Sequence, residues 1–294
     1  MAEQLSGIIP PMVTPFNQDG SVDTEAFRSE VGYLIEAGVQ GLAVGGSTGE
    51  GHTLTDHESW SLIEIAVREA AGRVPIIAGI IVDSTHQAVY RAQALRDMEV
   101  AALQITPVHY LFEPDEQGMY AYYATIASEV GLPILIYNVV PWSYASPALL
   151  TRMITDINGV VGVKQSAGDM HALAELLLRL KGRGVVMAAV DDLLYPCFAL
   201  GADGAIAALL TAAPHLSLEL WSAVKEGWHV EARDTHEQLL RVWMALKGPN
   251  LPARVKTAMR LQGRAAGLPR SPMRPPDPAE KEAIRIALQE AGVL

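Results

Sequence analysis

Cysteine is almost absent from this sequence, since only Cys197 occurs among its 294 residues. A single cysteine cannot form an intramolecular disulfide and cannot by itself build a thiolate metal site. Long apolar runs are also missing, so no segment has the roughly 20 consecutive apolar residues that span a membrane. The first residues, MAEQLSGIIPPMVTPF, have no basic stretch followed by an apolar one, so no secretory signal is expected. We therefore expect a cytoplasmic protein that does not bind membranes.

Positive charge is scarce as well, with 22 Lys and Arg against 33 Asp and Glu and a formal net charge of −11. Nucleic-acid binding relies on clusters of Lys and Arg that neutralise phosphates, and the sequence contains no basic run. Half of the residues are hydrophobic and only 19% are charged, which is typical of a folded globular chain. The sequence predicts a globular protein that does not bind nucleic acid.

Short apolar segments recur along most of the chain and are typical of parallel strands that are buried on both faces. They lie at residues 7–13, 41–46, 75–81, 101–106, 133–138, 160–166, 185–190 and 204–209. Amphipathic segments separate them and carry helix-start signals, such as Thr55 with Glu58 and Ser146 before Pro147. Eight alternating units predict an α/β fold, a (β/α)8 TIM barrel. An open doubly wound sheet is the alternative, but no G-x-G-x-x-G opens the first helix.

The strand pattern stops after residue 228. Three helical patterns remain, near residues 229–247, 252–266 and 278–291, and the last follows a proline-rich connector that ends at Asp277-Pro278. We therefore predict two units, a catalytic barrel over residues 1–228 and an all-helical C-terminal extension over residues 229–294.

Lys164 is the only charged residue in the strand-like run INGVVGVKQS. The active site of a (β/α)8 barrel lies at the C-terminal ends of its strands, where this lysine falls. Burial disfavours the charged form of a lysine, and a neutral amine can attack a carbonyl and form a Schiff base. A structural lysine that reaches a buried carboxylate or the barrel mouth is the alternative. The other five lysines, Lys256 among them, lie in helix-like or turn-like segments with polar neighbours.

Two further groups at strand ends suit this chemistry. Tyr137 ends the strand before that of Lys164 and can relay protons, unless it only caps the barrel core. Ser47 and Thr48 lie in the glycine-rich turn VGGSTGEGHT, which offers hydroxyls and backbone amides to a small carboxylate. A glycine-rich turn with an ordinary Ser or Thr cap would have the same pattern.

The remaining polar residues at strand ends are Tyr110 after the fourth strand and Asp191 with Asp192 after the seventh. The histidines are scattered, His109 beside Tyr110 included, and do not combine with Asp or Glu at metal-ligand spacing. A metal-dependent aldolase is disfavoured, and neither a metal nor a cofactor is expected. The chain also lacks the G-x-S-x-G elbow of a Ser-His-Asp hydrolase.

Taken together, these segments resemble the dihydrodipicolinate synthase and N-acetylneuraminate lyase family of pyruvate-dependent class I aldolases. The resemblance runs along the whole chain, from GIIPPMVTPF through GGSTGE, TPVHYLF, YNVVP and GVKQSAGD to DDLLYPCFALGADGAI. It implies that Lys164 forms the Schiff base and that Tyr137 relays protons. It also implies that Ser47 and Thr48 hold the carboxylate of pyruvate or another 2-oxo acid. By the same resemblance Tyr110 is a further catalytic residue near the site, which in some members crosses a subunit contact to complete a proton relay, and the protein is a homotetramer.

The resemblance leaves the second substrate open. Members that make dihydrodipicolinate hold the second carboxylate of aspartate semialdehyde with an arginine shortly after the YNVP segment. Here that stretch is YNVVPWSYAS, with Trp142 and Ser143 and no arginine, and an indole cannot form a bidentate pair with a carboxylate. The lyase branch is similar at Ser166, where it has a threonine, and at Asp191 with Asp192, where it has an acidic pair that binds sugar hydroxyls.

We therefore expect a Schiff-base lyase or aldolase that acts on pyruvate and a 2-keto-3-deoxy sugar acid or related hydroxy-oxo acid, similar to N-acetylneuraminate lyase. Full-length sialic acid is disfavoured as a substrate. The segment AAVDD lacks the glycine that typically precedes the acidic pair in the lyase branch, and Ala208 replaces a hydroxyl residue of that branch. Trp142 and Leu111 indicate a flatter, more apolar acceptor pocket. The alternatives are a dihydrodipicolinate synthase-type condensation, a dehydratase or hydratase-aldolase of the same family, and a catalytically silent sensor of 2-oxo acids.

Overall fold

A computed structural model describes residues 5–294; residues 1–4, with which the predicted barrel unit begins, lie outside the described residues. Within this range eight parallel strands form one curved sheet in the order β1-β8-β7-β6-β5-β4-β3-β2. They are β1 (Gly7–Ile8), β2 (Leu42–Val44), β3 (Ile76–Ile80), β4 (Ala102–Ile105), β5 (Ile134–Asn138), β6 (Val160–Gln165), β7 (Val185–Ala188) and β8 (Gly204–Ala205). Each strand lies inside one of the eight apolar segments that the sequence indicates.

The sheet closes into a barrel between its first and second strands. Pro11 forms a parallel bridge with Ala43. The Ala43 amide donates to the Pro10 carbonyl at 3.0 Å, and the Met12 amide donates to the Ala43 carbonyl at 2.8 Å. Because Pro10 and Pro11 have no amide hydrogen, β1 is shorter than the predicted segment 7–13. The prediction of a TIM barrel is confirmed.

Helices follow the strands and cover the outside of the barrel. They are α1 (Thr24–Glu36), α2 (Asp56–Ala70), α3 (Thr85–Gln93), α4 (Glu116–Val130), α5 (Pro147–Asp156), α6 (Met170–Leu180), α7 (Leu194–Ala199), α8 (Ala208–Ala212) and α9 (Pro214–Lys225). The predicted capping box of Thr55 and Glu58 and the predicted N-cap Ser146 are both present. The eighth apolar segment is a strand only at its start, because the helix-forming run ALLTA begins α8 at Ala208.

The apolar core has two layers. A small cluster fills the inside of the barrel, and its members are Leu5, Ile9, Ala43, Ile77, Ala102, Leu135, Met187 and Ile206. A much larger cluster packs between the strands and the surrounding helices. Burial of such apolar surface stabilises the fold by about 25 cal/mol per Å². This inner cluster fills the barrel, and a separate cavity lies at the C-terminal ends of the strands.

The C-terminal part is helical, as predicted. It consists of α10 (His229–Leu246), α11 (Leu251–Leu261) and α12 (Pro278–Glu290), and a capping box of Asp277 and Glu280 begins α12. Helix α10 packs against α9 and α12, and α11 packs against α8, so this part lies directly on the barrel. A division at residue 228 into two units stays a prediction. None of the helices within residues 5–294 is both long and apolar enough to cross a bilayer.

Candidate active site

A cavity of about 330 Å³ lies at the C-terminal ends of the strands. It brings together six of the predicted site residues, which are Ser47, Thr48, Tyr137, Lys164, Ser166 and Asp191. Most of the remaining wall is apolar. A larger open groove of about 650 Å³ lies between α10 and α12, but its polar lining is only Glu237, Arg241 and Glu290. The smaller cavity holds a lysine amine, a phenol and several hydroxyls, so it is the candidate active site.

Lys164 lies on β6 and is paired in register with Tyr137 on β5 and Met187 on β7. Its side chain is only 4% exposed. Its Nζ atom is 3.9 Å from the centroid of the Tyr137 ring. Within residues 5–294 no carboxylate oxygen lies within 4.0 Å of this amine. The amine therefore faces the cavity without an ion-pair partner, which a structural lysine bound to a buried carboxylate would have.

Tyr137 is buried beside this amine. Its hydroxyl donates a hydrogen bond to Ser47 Oγ at 3.1 Å, which links the end of β5 to the turn after β2. The Ser47 side chain is exposed, so the link runs from the buried phenol to the mouth of the cavity. Because a hydroxyl both donates and accepts, this pair can pass a proton between the cavity and solvent.

The turn GGSTGE after β2 is tightly folded. The Gly46 carbonyl accepts hydrogen bonds from the amides of Gly49 and Gly51, both at 3.0 Å. A Cβ atom at Gly51 would lie 2.0 Å from the Gly45 carbonyl oxygen, so only glycine fits there. Thr14 Oγ1 donates to the Gly49 carbonyl at 2.7 Å and ties the turn to the segment after β1. The turn thus presents its two hydroxyl residues to the cavity on a fixed backbone.

Asp191 reaches the cavity from a 3₁₀ turn that follows β7. Its carboxylate accepts a hydrogen bond from the Leu209 amide at 2.6 Å. Burial raises the pKa of Asp191 to about 6, although the Leu209 hydrogen bond and the charge of Lys164 act in the opposite direction. The nearby charge of Asp192 adds to the rise in this pKa. This carboxyl group therefore lines the cavity with a pKa closer to neutral pH than that of an ordinary aspartate.

Tyr110 is not among the residues that line the cavity. Its side chain is 70% exposed, and the neighbouring Leu111 and Phe112 are exposed too. The amides of His109 and Tyr110 both donate to the Asp83 carboxylate at 2.8 Å, which fixes the backbone of this loop. The loop thus holds three consecutive large side chains outward.

Trp142 and Asp192 also lie outside the cavity lining. The Trp142 indole N–H donates to the His109 carbonyl at 2.9 Å, so Trp142 lies against the Tyr110 loop, and the residue is largely exposed. We call Tyr110, Leu111, Phe112 and Trp142 the rim patch. Asp192 influences the cavity through its charge on Asp191.

Two sets of residues at this site have no local signal in the sequence. Leu251 and Pro252, at the start of α11, contribute to the cavity wall although they lie in the C-terminal part. Lys256 lies on a helix, as predicted, but the sequence does not indicate that its side chain is completely buried and binds the equally buried Glu50. These contacts join distant parts of the chain, so only the fold shows them.

A (β/α)8 barrel with a buried lysine, a tyrosine and a hydroxyl-bearing glycine turn in one cavity is typical of a lysine-dependent aldolase. Among residues 5–294 no group of three or more His, Cys, Asp or Glu side chains is placed to hold a metal ion. The chain belongs to the dihydrodipicolinate synthetase family, whose sequence profile matches residues 4–291. It is therefore an enzyme, a class I aldolase or lyase that works through a lysine Schiff base.

Individual relatives cover the whole chain. A 4-hydroxy-tetrahydrodipicolinate synthase from Methanopyrus kandleri is 33% identical over 297 residues, which is 100% of this chain and 99% of that protein. Another from Nitratidesulfovibrio vulgaris is 35% identical and covers 99% of this chain and 100% of that protein. The crystal structure of a chloride-inhibited dihydrodipicolinate synthase from Acinetobacter baumannii, complexed with pyruvate, is 30% identical with a TM-score of 0.94, and the match covers 99% of this chain and 100% of that one.

These comparisons bear on the expected activity. The family resemblance and the Schiff-base class are confirmed. The relatives above have the synthase name, so they favour the synthase-type condensation over the N-acetylneuraminate lyase-like reaction that was the main expectation.

Proposed function

We propose that this enzyme holds pyruvate as a Schiff base on Lys164 and condenses it with an aldehyde. The observation that carries the proposal is the Lys164 amine, which is buried in the cavity without a carboxylate partner and lies 3.9 Å from the Tyr137 ring centroid. The complex of the A. baumannii synthase with pyruvate supports the choice of the first substrate.

The first half of the proposed reaction attaches pyruvate. The neutral Lys164 amine attacks the keto carbon, and the resulting carbinolamine loses its hydroxyl as water to give a protonated imine. Tyr137 gives the proton that the leaving hydroxyl needs, and it regains one through Ser47 at 3.1 Å. Ser47 and Thr48 hold the pyruvate carboxylate with their hydroxyls, as hydrogen-bond donors to the anion.

The second half forms the carbon–carbon bond. Loss of a proton from the methyl carbon converts the imine to an enamine, which attacks the aldehyde carbon while the aldehyde oxygen takes up a proton. Water then hydrolyses the new imine, which releases the product and restores the Lys164 amine. In this scheme Ser166 and Asp191 face the acceptor, since both line the same cavity.

The acceptor site differs from the one that the synthase branch uses for a second carboxylate. Lys164 is the only cationic residue that lines the cavity in the described part of the chain. Apart from the six predicted site residues, the cavity lining is apolar and includes Val139, Leu251 and Pro252. We therefore propose an acceptor aldehyde whose far end carries no carboxylate.

Cleavage of a 2-keto-3-deoxy sugar acid is the second candidate. It is the same carbon–carbon chemistry in the reverse direction, and Asp191 favours it because a carboxylate in the cavity can accept hydrogen bonds from sugar hydroxyls. A panel that contains pyruvate with aspartate semialdehyde, pyruvate with carboxylate-free aldehydes, and 2-keto-3-deoxy sugar acids alone distinguishes these reactions.

The decisive experiment for the core proposal is chemical trapping. The protein is incubated with pyruvate and borohydride, and peptides are mapped by mass spectrometry. We expect a reduced pyruvate adduct on Lys164. The absence of that adduct would overturn the proposal, and an adduct without turnover of any substrate in the panel would support a silent 2-oxo-acid sensor.

We also propose that the protein is a homotetramer that covers the rim patch. Large apolar side chains that are exposed together mark contact surfaces in globular proteins, and all four members of the patch are largely exposed in the single chain. Such a contact would place Tyr110 against the neighbouring subunit. Light scattering of the wild type and of Leu111→Glu/Phe112→Glu tests this, because the variant should lose the tetramer.

A further inference from the structure

The acidic residue that ends the GGSTGE turn is completely buried. Glu50 has a left-handed backbone, with φ of 55°, and its amide donates to the Ser47 carbonyl at 3.0 Å. The backbone of Glu50 is therefore tied to the turn that carries Ser47 and Thr48. A buried carboxylate is costly unless it is paired and hydrogen-bonded, so its partners hold the turn in place.

Both oxygens of Glu50 are bound by the C-terminal part of the chain. Oε1 accepts a hydrogen bond from Lys256 Nζ, and Oε2 accepts one from the Arg270 amide at 2.9 Å. Lys256 also donates to the Leu268 carbonyl at 2.8 Å, so it joins the turn to the segment after α11. The Lys256 and Glu50 side chains are both completely buried.

Further contacts around the Glu50–Lys256 pair also join the turn region to the C-terminal part. The Arg270 guanidinium binds Glu58 and donates to the Thr53 carbonyl at 2.7 Å, both in the segment that follows the turn. Helix α11, which carries Lys256, also supplies Leu251 and Pro252 to the cavity wall. One helix of the C-terminal part therefore contacts the cavity directly and reaches the turn through a buried ion pair.

We propose that Lys256 is a positioning residue for the pyruvate-carboxylate turn, acting through Glu50 to fix Ser47 and Thr48. The C-terminal part then completes the active site, in addition to covering the barrel. This inference rests on the function proposed above, in which Ser47 and Thr48 hold the carboxylate of pyruvate.

A trapping assay with two ligands tests the inference. The double variant Glu50→Gln/Lys256→Gln removes both charges together and leaves groups that can hydrogen-bond each other. Borohydride trapping on Lys164 is then measured over a range of pyruvate and, separately, of hydroxyacetone, a ketone without a carboxylate. We expect the half-saturating pyruvate concentration to rise about tenfold, which corresponds to about 1.4 kcal/mol. The value for hydroxyacetone and the final extent of the adduct should stay as in the wild type.

The chain provides a matched control in its second buried ion pair. Glu30 on α1 binds Arg264 after α11, and neither lines the cavity. Glu30→Gln/Arg264→Gln therefore removes a comparable buried pair at a distance from the turn, and we expect it to leave both half-saturating concentrations unchanged. An equal rise for both ligands, a rise in the control as well, or no rise for pyruvate would overturn the positioning role.

Two further outcomes are possible in this experiment, a double variant that does not fold and a wild type that forms no adduct. If the double variant does not fold, Glu50→Asp decides, because it keeps the charge opposite Lys256 but is one methylene too short to reach both Lys256 and the Arg270 amide; an unchanged pyruvate half-saturation there would count against the inference. If the wild type forms no adduct with pyruvate, the proposed function itself fails, and the positioning role fails with it.

Discussion

The two buried lysines of this molecule have opposite surroundings. Lys164 is 4% exposed, lies beside the Tyr137 ring in a cavity, and has no carboxylate within ion-pair distance in the described chain. Lys256 is completely buried, and its amine is bound by Glu50 and the Leu268 carbonyl. Both amines lie over an aromatic ring, since Lys256 Nζ is 4.7 Å from the Phe16 centroid.

The difference indicates two uses of the same side chain. Burial lowers the pKa of Lys256 to about 8, and the charge of Glu50 limits this change. An amine that is already engaged by a carboxylate and a carbonyl is unavailable to a substrate. Lys164 is free of such partners and faces open space. On the proposed function, reactivity follows from what surrounds the amine, because burial alone does not distinguish the two residues.

The largest expected effect is the loss of chemistry at Lys164. Lys164→Met keeps the length of the side chain and removes the nucleophile, so we expect turnover to fall by about 10⁴-fold or more. No pyruvate adduct should be trapped by borohydride. The exposed Lys225, which lies 5.3 Å from the Trp221 ring, is the matched control, and Lys225→Met should leave both measurements unchanged. Full activity in Lys164→Met would end the distinction between the two lysines.

The next prediction concerns the free energy of unfolding, which should change much more at Lys256 than at Lys164. Lys256→Met leaves the Glu50 carboxylate buried without its cation, so we expect a loss of about 3–5 kcal/mol in the free energy of unfolding. Lys164→Met removes no ion pair and should leave this free energy nearly unchanged or higher. Urea denaturation of the two variants measures the contrast directly. Equal losses in both would mean that Lys164 has a structural partner.

The next prediction concerns the hydroxyl of Tyr137, which lies beside Lys164. Tyr137→Phe keeps the ring beside Lys164 but removes the hydroxyl that donates to Ser47, so we expect kcat to fall by about 10²-fold through loss of proton transfer. Steady-state rates measure the change. Tyr123→Phe is the control, because the Tyr123 hydroxyl is also buried and donates to the Ile105 carbonyl at 3.0 Å, away from the cavity. A similar loss of activity in the control would indicate a general packing effect.

The two lysines also show how much the sequence alone could predict. Lys164 is predictable because a lone charge inside an apolar strand is a local signal in the sequence, and the eight strands and the helix caps have local signals too. Lys256 was missed because its partner Glu50 is 206 residues away in the chain. In the sequence, Lys256 has charged residues near it on the same helix, so α11 looks like a surface helix. The α11 residues Leu251 and Pro252 were missed for the same reason, since the connection between α11 and the cavity is made by the fold.

The smallest expected effects are in the pH dependence of stability. The pKa shifts of the carboxyl groups near the two lysines have opposite signs. Near Lys164, the pKa of Asp191 is raised from an ordinary value of 3.8 to about 6. The folded state therefore binds more protons than the unfolded state between these values, and the contribution to stability is present below pH 4 and is lost as pH rises through 6. Near Lys256, the Arg270 hydrogen bond lowers the pKa of Glu58 from 4.5 to about 2. Its contribution is present above pH 4.5 and is lost as pH falls towards 2.

Two isosteric variants test this contrast in sign. Relative to the wild type, Asp191→Asn should gain about 2 kcal/mol of unfolding free energy as pH rises from 4 to 7, because the variant has no carboxyl group to deprotonate there. Glu58→Gln should lose about 1 kcal/mol relative to the wild type above pH 4.5, and this difference should vanish as pH falls towards 2, since the pair with Arg270 is partly exposed to solvent. Urea denaturation across this range measures both differences. Parallel pH profiles of the unfolding free energy in the two variants would show that Asp191 and Glu58 have the same kind of surroundings. The contrast between the two lysines would then rest on Glu50 alone.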